Sequence, residues 1–165
     1  MHEYDFYTVH TDTVGSVTKN EWTSMLFQPI HNVVQVSIVS ASIDVATLGT
    51  GKEVVYLNVD QFNSQFNDVT GQVGTQTSPG IVSSVQTKDK LRHSMAQFMV
   101  TPTLNRIIFK GGDYSTQTQF KVPIETVDRL TQRLYNQDGE LIPIGANANN
   151  FITYRITSLK LKSET

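Results

Sequence analysis

The stretch that decides the fold is RLTQRLYNQDGELIPIG, residues 129–145, in which two runs with apolar residues flank a Gln-Asp-Gly. Asp-Gly between such runs is typical of a tight β-hairpin, because both turn residues tolerate a positive φ. The segment before the turn also fits a helix, since apolar residues recur near one helical face at Ile124, Val127, Leu130 and Leu134. A helix here would make the protein mixed, whereas a strand would make it all-β. Local rules alone leave the two interpretations evenly balanced.

The polar composition favours the strand. Ser, Thr, Asn and Gln make up 55 of the 165 residues, while charged residues are only 17%. Helix surfaces are usually covered by Glu, Lys and Arg, whereas Thr and Ser suit strands and turns. We therefore predict an all-β protein, with a strand over 129–136 and a helix content below about 15%, against a typical third.

Size and charge narrow the class of protein. A chain of this length forms one ordinary domain. A net charge of −2 gives no electrostatic case for nucleic-acid binding, and no run is long enough to span a membrane. The N-terminus lacks the pattern of a signal peptide, so we expect synthesis in cytosol-like conditions. With no cysteine, neither a disulfide nor a thiolate metal site is possible.

Short strand-like segments follow one another along the chain with turns between them. We predict eight strands, which lie at about 31–43, 53–60, 81–86, 95–101, 105–110, 117–122, 129–136 and 151–160. Pro29 would stand at the entry of the first, and a short helix is possible at 61–67 within the polar loop 61–80. This spacing favours a sandwich, a jelly roll or a small barrel.

Two segments resemble known binding loops but fit ordinary turns better. TLGTGK (47–52) has the Gly-Lys of a phosphate-binding loop, yet Ala46 and Glu53 stand where that motif needs Gly and Ser or Thr. Asn136–Glu140 faintly resembles a calcium loop, but it lacks the alternating oxygen ligands and the closing bidentate Glu.

No catalytic, cofactor-binding or metal-binding residue is predicted. The four histidines, His2, His10, His31 and His93, show no metal-ligand spacing, which disfavours an enzyme of cupin-like form. The basic cluster of Lys88, Lys90, Arg92 and His93 fits a solvated loop better than an anion contact. No nucleophile-elbow motif is present. We therefore expect no bound metal, no cofactor and no enzymatic activity.

The only tryptophan lies in an apolar cluster, NEWTSMLFQPI (20–30). Aromatic anchors are common both in cores and at interfaces. Trp22, Met25, Leu26 and Phe27 are therefore either core residues or partner contacts, and the sequence leaves both open.

Taken together, four segments resemble a family of viral capsid proteins. PIHNVVQVSIVSASIDV (29–45) and VVYLNVDQFNS (54–64) are similar to the N-terminal half of the single jelly-roll penton and minor capsid proteins of giant DNA viruses and virophages. DRLTQRLYNQDGELIPI (128–144) and NFITYRI (150–156) are similar to the C-terminal half. The resemblance spans about 29–156, although residues 61–118 match no part of the family.

This resemblance implies a structural virion protein. The implied fold is a single eight-stranded antiparallel jelly roll, which we place at 20–165. Residues 1–19 precede the first strong strand signal and we interpret them as poor in large apolar side chains, so we expect them to form an extended N-terminal arm that holds neighbouring capsid proteins. The implied function is a penton subunit, located in the virion capsid, which forms homopentamers. The implied partners are a double jelly-roll major capsid protein and, as a further candidate, minor capsid proteins, with no direct contact to nucleic acid and no membrane insertion. A minor capsid (cement) protein and a carbohydrate-binding jelly-roll attachment module are the alternatives.

Overall fold

The computed structural model describes residues 1–11, 19–46, 48, 52–62, 94–100, 105–113, 116–145 and 148–159. In these residues the protein is all-β, as predicted. Seven strands occur in chain order: β1 (His2–Thr11), β2 (Glu21–Asp44), β3 (Val54–Val59), β4 (Ser94–Met99), β5 (Arg106–Lys110), β6 (Thr118–Asn136) and β7 (Asn149–Ser158). A single 3-10 turn, Asp60–Phe62, is the only helical element of the described part.

All seven strands belong to one antiparallel sheet. Its order is β1-β7-β2-β6-β3-β4, and β5 pairs with the C-terminal end of β2. The 24-residue β2 pairs with β6 through its first half and with β7 and β5 through its second half. Because one long strand serves two sets of partners, the sheet folds over itself, which is consistent with a β-sandwich or jelly roll.

The ambiguous segment before the Asp-Gly turn is a strand. β6 runs unbroken from Thr118 to Asn136, so the strands predicted at 117–122 and 129–136 are one element. β2 and β3 both pair with it, and its apolar side chains at alternate positions, Leu130 and Leu134, are fully buried. Pairing on both edges explains why a sequence that also suits a helix is extended here.

Two bulges interrupt the β2–β6 ladder, and each contains a proline. On β2, Leu26–Pro29 stand opposite the single residue Asp128; on β6, Phe120–Pro123 stand opposite Val34. In both, the residue after the proline is an isoleucine that resumes the pairing. Pro29 therefore lies inside a strand and not at its entry, because a bulge is where a strand tolerates a residue without an N–H.

The core lies between the folded halves of the sheet. Phe98 of β4 and Phe109 of β5 meet edge-to-face with their ring centroids 5.5 Å apart. The inward-facing residues of β7, Ile152, Tyr154 and Ile156, are fully buried and alternate with less buried residues over 151–155. Burial of this apolar surface is the main force that holds the two halves together.

A buried hydrogen-bond network crosses the core around Gln132, which is fully buried on β6. Its Oε1 accepts hydrogen bonds from Thr8 Oγ1 (3.0 Å) and from Tyr154 Oη (2.8 Å). Its Nε2 donates weakly to Ser24 Oγ and to the Leu130 carbonyl, both at 3.4 Å. The network joins β1, β2, β6 and β7, and it satisfies a polar side chain that would otherwise be costly to bury.

The extended N-terminal arm is not confirmed. Residues 2–11 of the predicted arm form strand β1, which pairs along its whole length with β7. Arg155 donates two hydrogen bonds to the Asp5 carboxylate (2.8 and 2.9 Å), and His10 stacks on Trp22 at 4.7 Å. These contacts make β1 part of the folded domain. The sequence did not indicate this, because the buried positions of β1, Thr8 and His10, are polar.

The count of eight strands is not confirmed either, since the structure describes seven. The predicted strand 81–86 and most of the possible helix at 61–67 lie outside the described residues. The segment after the Asp-Gly turn forms no second hairpin strand, because only an isolated bridge joins Leu141 to Tyr135.

Candidate functional site

A pocket of about 450 Å³ opens between the start of β1, the bulge of β2 and the end of β7. β1 contributes His2, Tyr4 and Phe6, which alternate along the strand and so face the same side. β2 contributes residues 27–32, and β7 closes the third wall with Ser158 and Leu159. Its volume is within the roughly 300–1,000 Å³ typical of small-molecule sites.

The bulge of β2 shapes the mouth of the pocket. Phe27, at its centre, is 99% exposed, because the bulge lifts it out of the ladder. Beyond the bulge, Asn32 has a φ of 55°, which Asn tolerates better than most residues. The Asn32 carbonyl accepts a hydrogen bond from Leu159 N at 2.9 Å, which ties this turn of β2 to the end of β7.

One polar side chain of the pocket is held in place by a neighbouring strand. His31 Nδ1 shares a hydrogen bond of 2.9 Å with Thr126 Oγ1 of β6. This contact fixes the orientation of the imidazole, so the other ring nitrogen, Nε2, is the one left for a ligand.

The four histidines separate into different environments. His2 and His31 line the same pocket, whereas His10 is buried against Trp22, and His93 lies outside the described residues with the other members of the basic cluster. In the described part of the chain, no group of three His, Cys, Asp or Glu side chains is close enough to hold a metal ion.

The two loop-like motifs behave as turns where the structure describes them. Lys52 pairs with the Asp138 carboxylate, which joins the β2–β3 connection to the Asp-Gly turn. In that turn, Asn136 Oδ1 accepts hydrogen bonds from the backbone N–H groups of Asp138 (2.9 Å) and Glu140 (3.0 Å). The turn needs Gly139 because its φ is +78°. The glycines at 49 and 51 lie outside the described residues.

The apolar cluster around Trp22 divides between core and surface. Trp22 is buried and Leu26 packs against the core, but Met25 and Phe27 are exposed. The core interpretation therefore holds for Trp22 and Leu26, while Met25 and Phe27 lie at the surface, where a partner contact stays a prediction. The pocket itself was missed, and its only sequence signal was the Phe-Gln-Pro triplet inside a run of strand-forming residues.

No protein-family model matches the chain, and a search of curated proteins finds no significant match. No helix in the described residues is both long and apolar enough to cross a membrane.

Proposed function

We propose that this chain is a structural virion protein, a penton subunit that forms homopentamers at the five-fold vertices of an icosahedral double-stranded DNA virus. The proposal rests on the resemblance of the four segments above and on the all-β fold. In this proposal its partners are other copies of itself and a double jelly-roll major capsid protein, and its location is the capsid. A minor capsid subunit is the alternative position.

The observation that carries the proposal is that the main path of the sheet, as far as the structure describes it, ends in two different strands. Among the described residues, β1 pairs only with β7 and β4 only with β3, while β5 pairs only with β2 beside this path. Exposed apolar side chains lie on both end strands, with Tyr7 and Val9 on β1 and Met99 on β4. A strand at the end of a sheet that exposes apolar side chains can pair with another chain unless it is covered.

A domain with different strands, β1 and β4, at the two ends of its sheet can assemble into a ring. A cyclic assembly above a dimer needs a heterologous interface, in which one face of a subunit meets a different face of the next. The β1 end of one subunit would meet the β4 end of its neighbour, and the rotation would close at five copies at a vertex. Polar side chains around these ends suit the wet rim of such an interface.

Single-cysteine variants test this arrangement, since the natural chain has no cysteine. We expect a mixture of Val9→Cys and Met99→Cys to form cross-linked dimers under mild oxidation, while neither variant forms them alone. Mass photometry of the unmodified protein should show a species of five times 18.5 kDa. Val122→Cys, at an exposed position in the β6 bulge away from both ends, is the control that should not cross-link with either variant.

The outcomes separate the alternatives. Cross-linking of Val9→Cys with itself would indicate a two-fold contact and contradict the ring. A protein that stays monomeric and is absent from particles would overturn the proposal as a whole. A particle map that places the chain away from every five-fold axis would favour the minor capsid position.

A further inference from the structure

The pocket beside the β2 bulge carries an inference that is independent of the capsid role. Three aromatic residues from two strands line it, Tyr4 and Phe6 of β1 and Phe27 of β2, and the apolar residues Pro29 and Ile30 line it beside the bulge. Flat apolar rings at an open mouth offer a stacking surface for a ligand that has an apolar face of its own.

Among the described residues, the polar lining of the pocket is uncharged apart from imidazole. No Asp, Glu, Lys or Arg of this part of the chain lines it; the polar lining residues are Gln28, Asn32, His2, His31 and Ser158. Amides and hydroxyls donate and accept hydrogen bonds at once, so they match ligand hydroxyls, which do the same. The described lining therefore complements a neutral ligand.

A purely apolar ligand fits this lining less well. It would cover the amides and imidazoles without giving them partners, which costs the free energy of removing each polar group from water. An ion would meet no Asp, Glu, Lys or Arg side chain among the described lining residues. A pyranose ring has both of the features that the pocket complements: a face of C–H groups and a rim of hydroxyls.

The backbone around the pocket also points to a binding role. Bulges are frequent beside binding sites, where they redirect side chains, and a non-glycine residue with positive φ is a second local feature of this kind. Both occur here within a few residues, at 26–29 and at Asn32, next to the most exposed aromatic side chain of the described residues.

We infer that this pocket binds a neutral carbohydrate. One pyranose unit stacks on Phe27 and Tyr4, while its hydroxyls bond to the Gln28 and Asn32 amides and to His31 Nε2. Thr126 already orients the His31 ring, so the hydrogen bond from the sugar to His31 Nε2 costs little additional side-chain entropy.

The test is a titration of the full chain, followed by NMR or calorimetry, with named sugars. The probes are methyl glucoside, methyl galactoside, methyl mannoside, N-acetylglucosamine and its β1,4-linked dimer, with N-acetylneuraminic acid as the anionic comparison and decanoate as the apolar one. We expect at least one neutral sugar to saturate, with a Kd of roughly 1 mM or tighter, as suits a small open site. The anionic sugar and decanoate should bind at least tenfold more weakly.

Two variants on the same strand locate the site. Phe27→Ala changes a side chain that is 99% exposed, so the fold should tolerate it, and we expect it to weaken sugar binding at least tenfold. Met25→Ala, at a position 68% exposed and outside the pocket, is the matched control and should bind as the natural chain does.

Three results would overturn the inference: no neutral sugar binds, decanoate or the anionic sugar binds more tightly, or Phe27→Ala and Met25→Ala weaken binding equally. A change of oligomeric state in Phe27→Ala without any sugar binding would instead identify the pocket as a contact between copies of this chain. Ring formation by Val9 and Met99 is measured separately, so failure of either proposal leaves the other testable.

Discussion

Gln132 offers the sharpest test of how the core is held together, because one oxygen atom accepts hydrogen bonds from two strands. Replacing Tyr154 by Phe removes one donor, but Gln132 Oε1 keeps the bond from Thr8. The expected loss is the ordinary net value of one hydrogen bond, about 1 kcal/mol. Replacing Gln132 by Leu is worse, since the Tyr154 hydroxyl then stays fully buried without an acceptor, at a cost of about 1–3 kcal/mol. Thr8 suffers less, because the single hydrogen of its hydroxyl can be donated to the Ile152 carbonyl instead, at 3.1 Å.

The double variant Gln132→Leu with Tyr154→Phe distinguishes this account from a simple loss of contacts. Removing both partners leaves an apolar site with no unpaired group, so adding Tyr154→Phe to Gln132→Leu should restore about 1 kcal/mol. Urea unfolding at fixed protein concentration, followed by the fluorescence of the single buried tryptophan, Trp22, measures all three variants. Thr23→Ala is the control, since its hydrogen bond to Thr131 (3.1 Å) is exposed and should matter by less than about 0.5 kcal/mol. Additive losses in the double variant would refute the argument.

Three further predictions concern pH, the turn and the first strand. Burial raises the pKa of Tyr154 well above its usual range and also raises the pKa of Tyr56 and Tyr135. Their stabilising contribution is therefore complete below the unfolded pKa of about 10 and is lost as the pH rises through the higher folded values. Urea midpoints should fall above pH 10, and fall less steeply in Tyr154→Phe; equal slopes would contradict this. Gly139→Ala should destabilise the protein by about 1–2 kcal/mol because the turn holds a φ of +78°, whereas Gly112→Ala, where an added Cβ meets nothing within 4 Å, should cost less in thermal unfolding; equal costs would count against turn strain. Deleting residues 1–11 should lower the melting temperature by several degrees, since it removes the Thr8 bond to Gln132 and the His10 stack on Trp22; an unchanged melting temperature would mean that β1 is a dispensable arm after all.

The sequence predicted β7, whose apolar residues alternate in step with burial, and missed β1, whose buried positions are polar. In β7, Ile152, Tyr154 and Ile156 are apolar at every second position, and this period identifies a half-buried strand without further information. In β1 the inward positions hold Thr8 and His10, which are polar side chains buried by pairing and stacking. A polar side chain is buried at low cost only when residues far away in the sequence hydrogen-bond to it or pack on it. The sequence of β1 alone therefore does not show which of its side chains are buried.

Local sequence patterns also failed to predict the position of Pro29 within β2 and the existence of the pocket. From the sequence, Pro29 is interpreted as the start of a strand. The sequence alone does not show that four residues of β2, Leu26–Pro29, face the single residue Asp128 of β6 in a bulge that tolerates proline. The pocket assembles residues 2–6, 27–32 and 158–159, which lie far apart in the sequence and meet only through the β1–β7 and β2–β7 pairings. Composition was enough to predict the fold class, but the site depends on register.

The pairing of β1 with β7 also places the first and last described residues of the chain close together. His2 and Ser158 are register partners, so the two ends of the described chain leave the sheet at one corner. A sequence with neighbouring ends can be inserted into a loop of another protein, or circularly permuted, without stretching the fold. That corner is also a wall of the pocket, since both residues line it. A tag or fused domain attached at Met1, or directly after Leu159 in a shortened chain, would therefore crowd the pocket mouth. A permuted chain with new termini at the Asp138-Gly139 turn would carry such a tag at a different place in the fold.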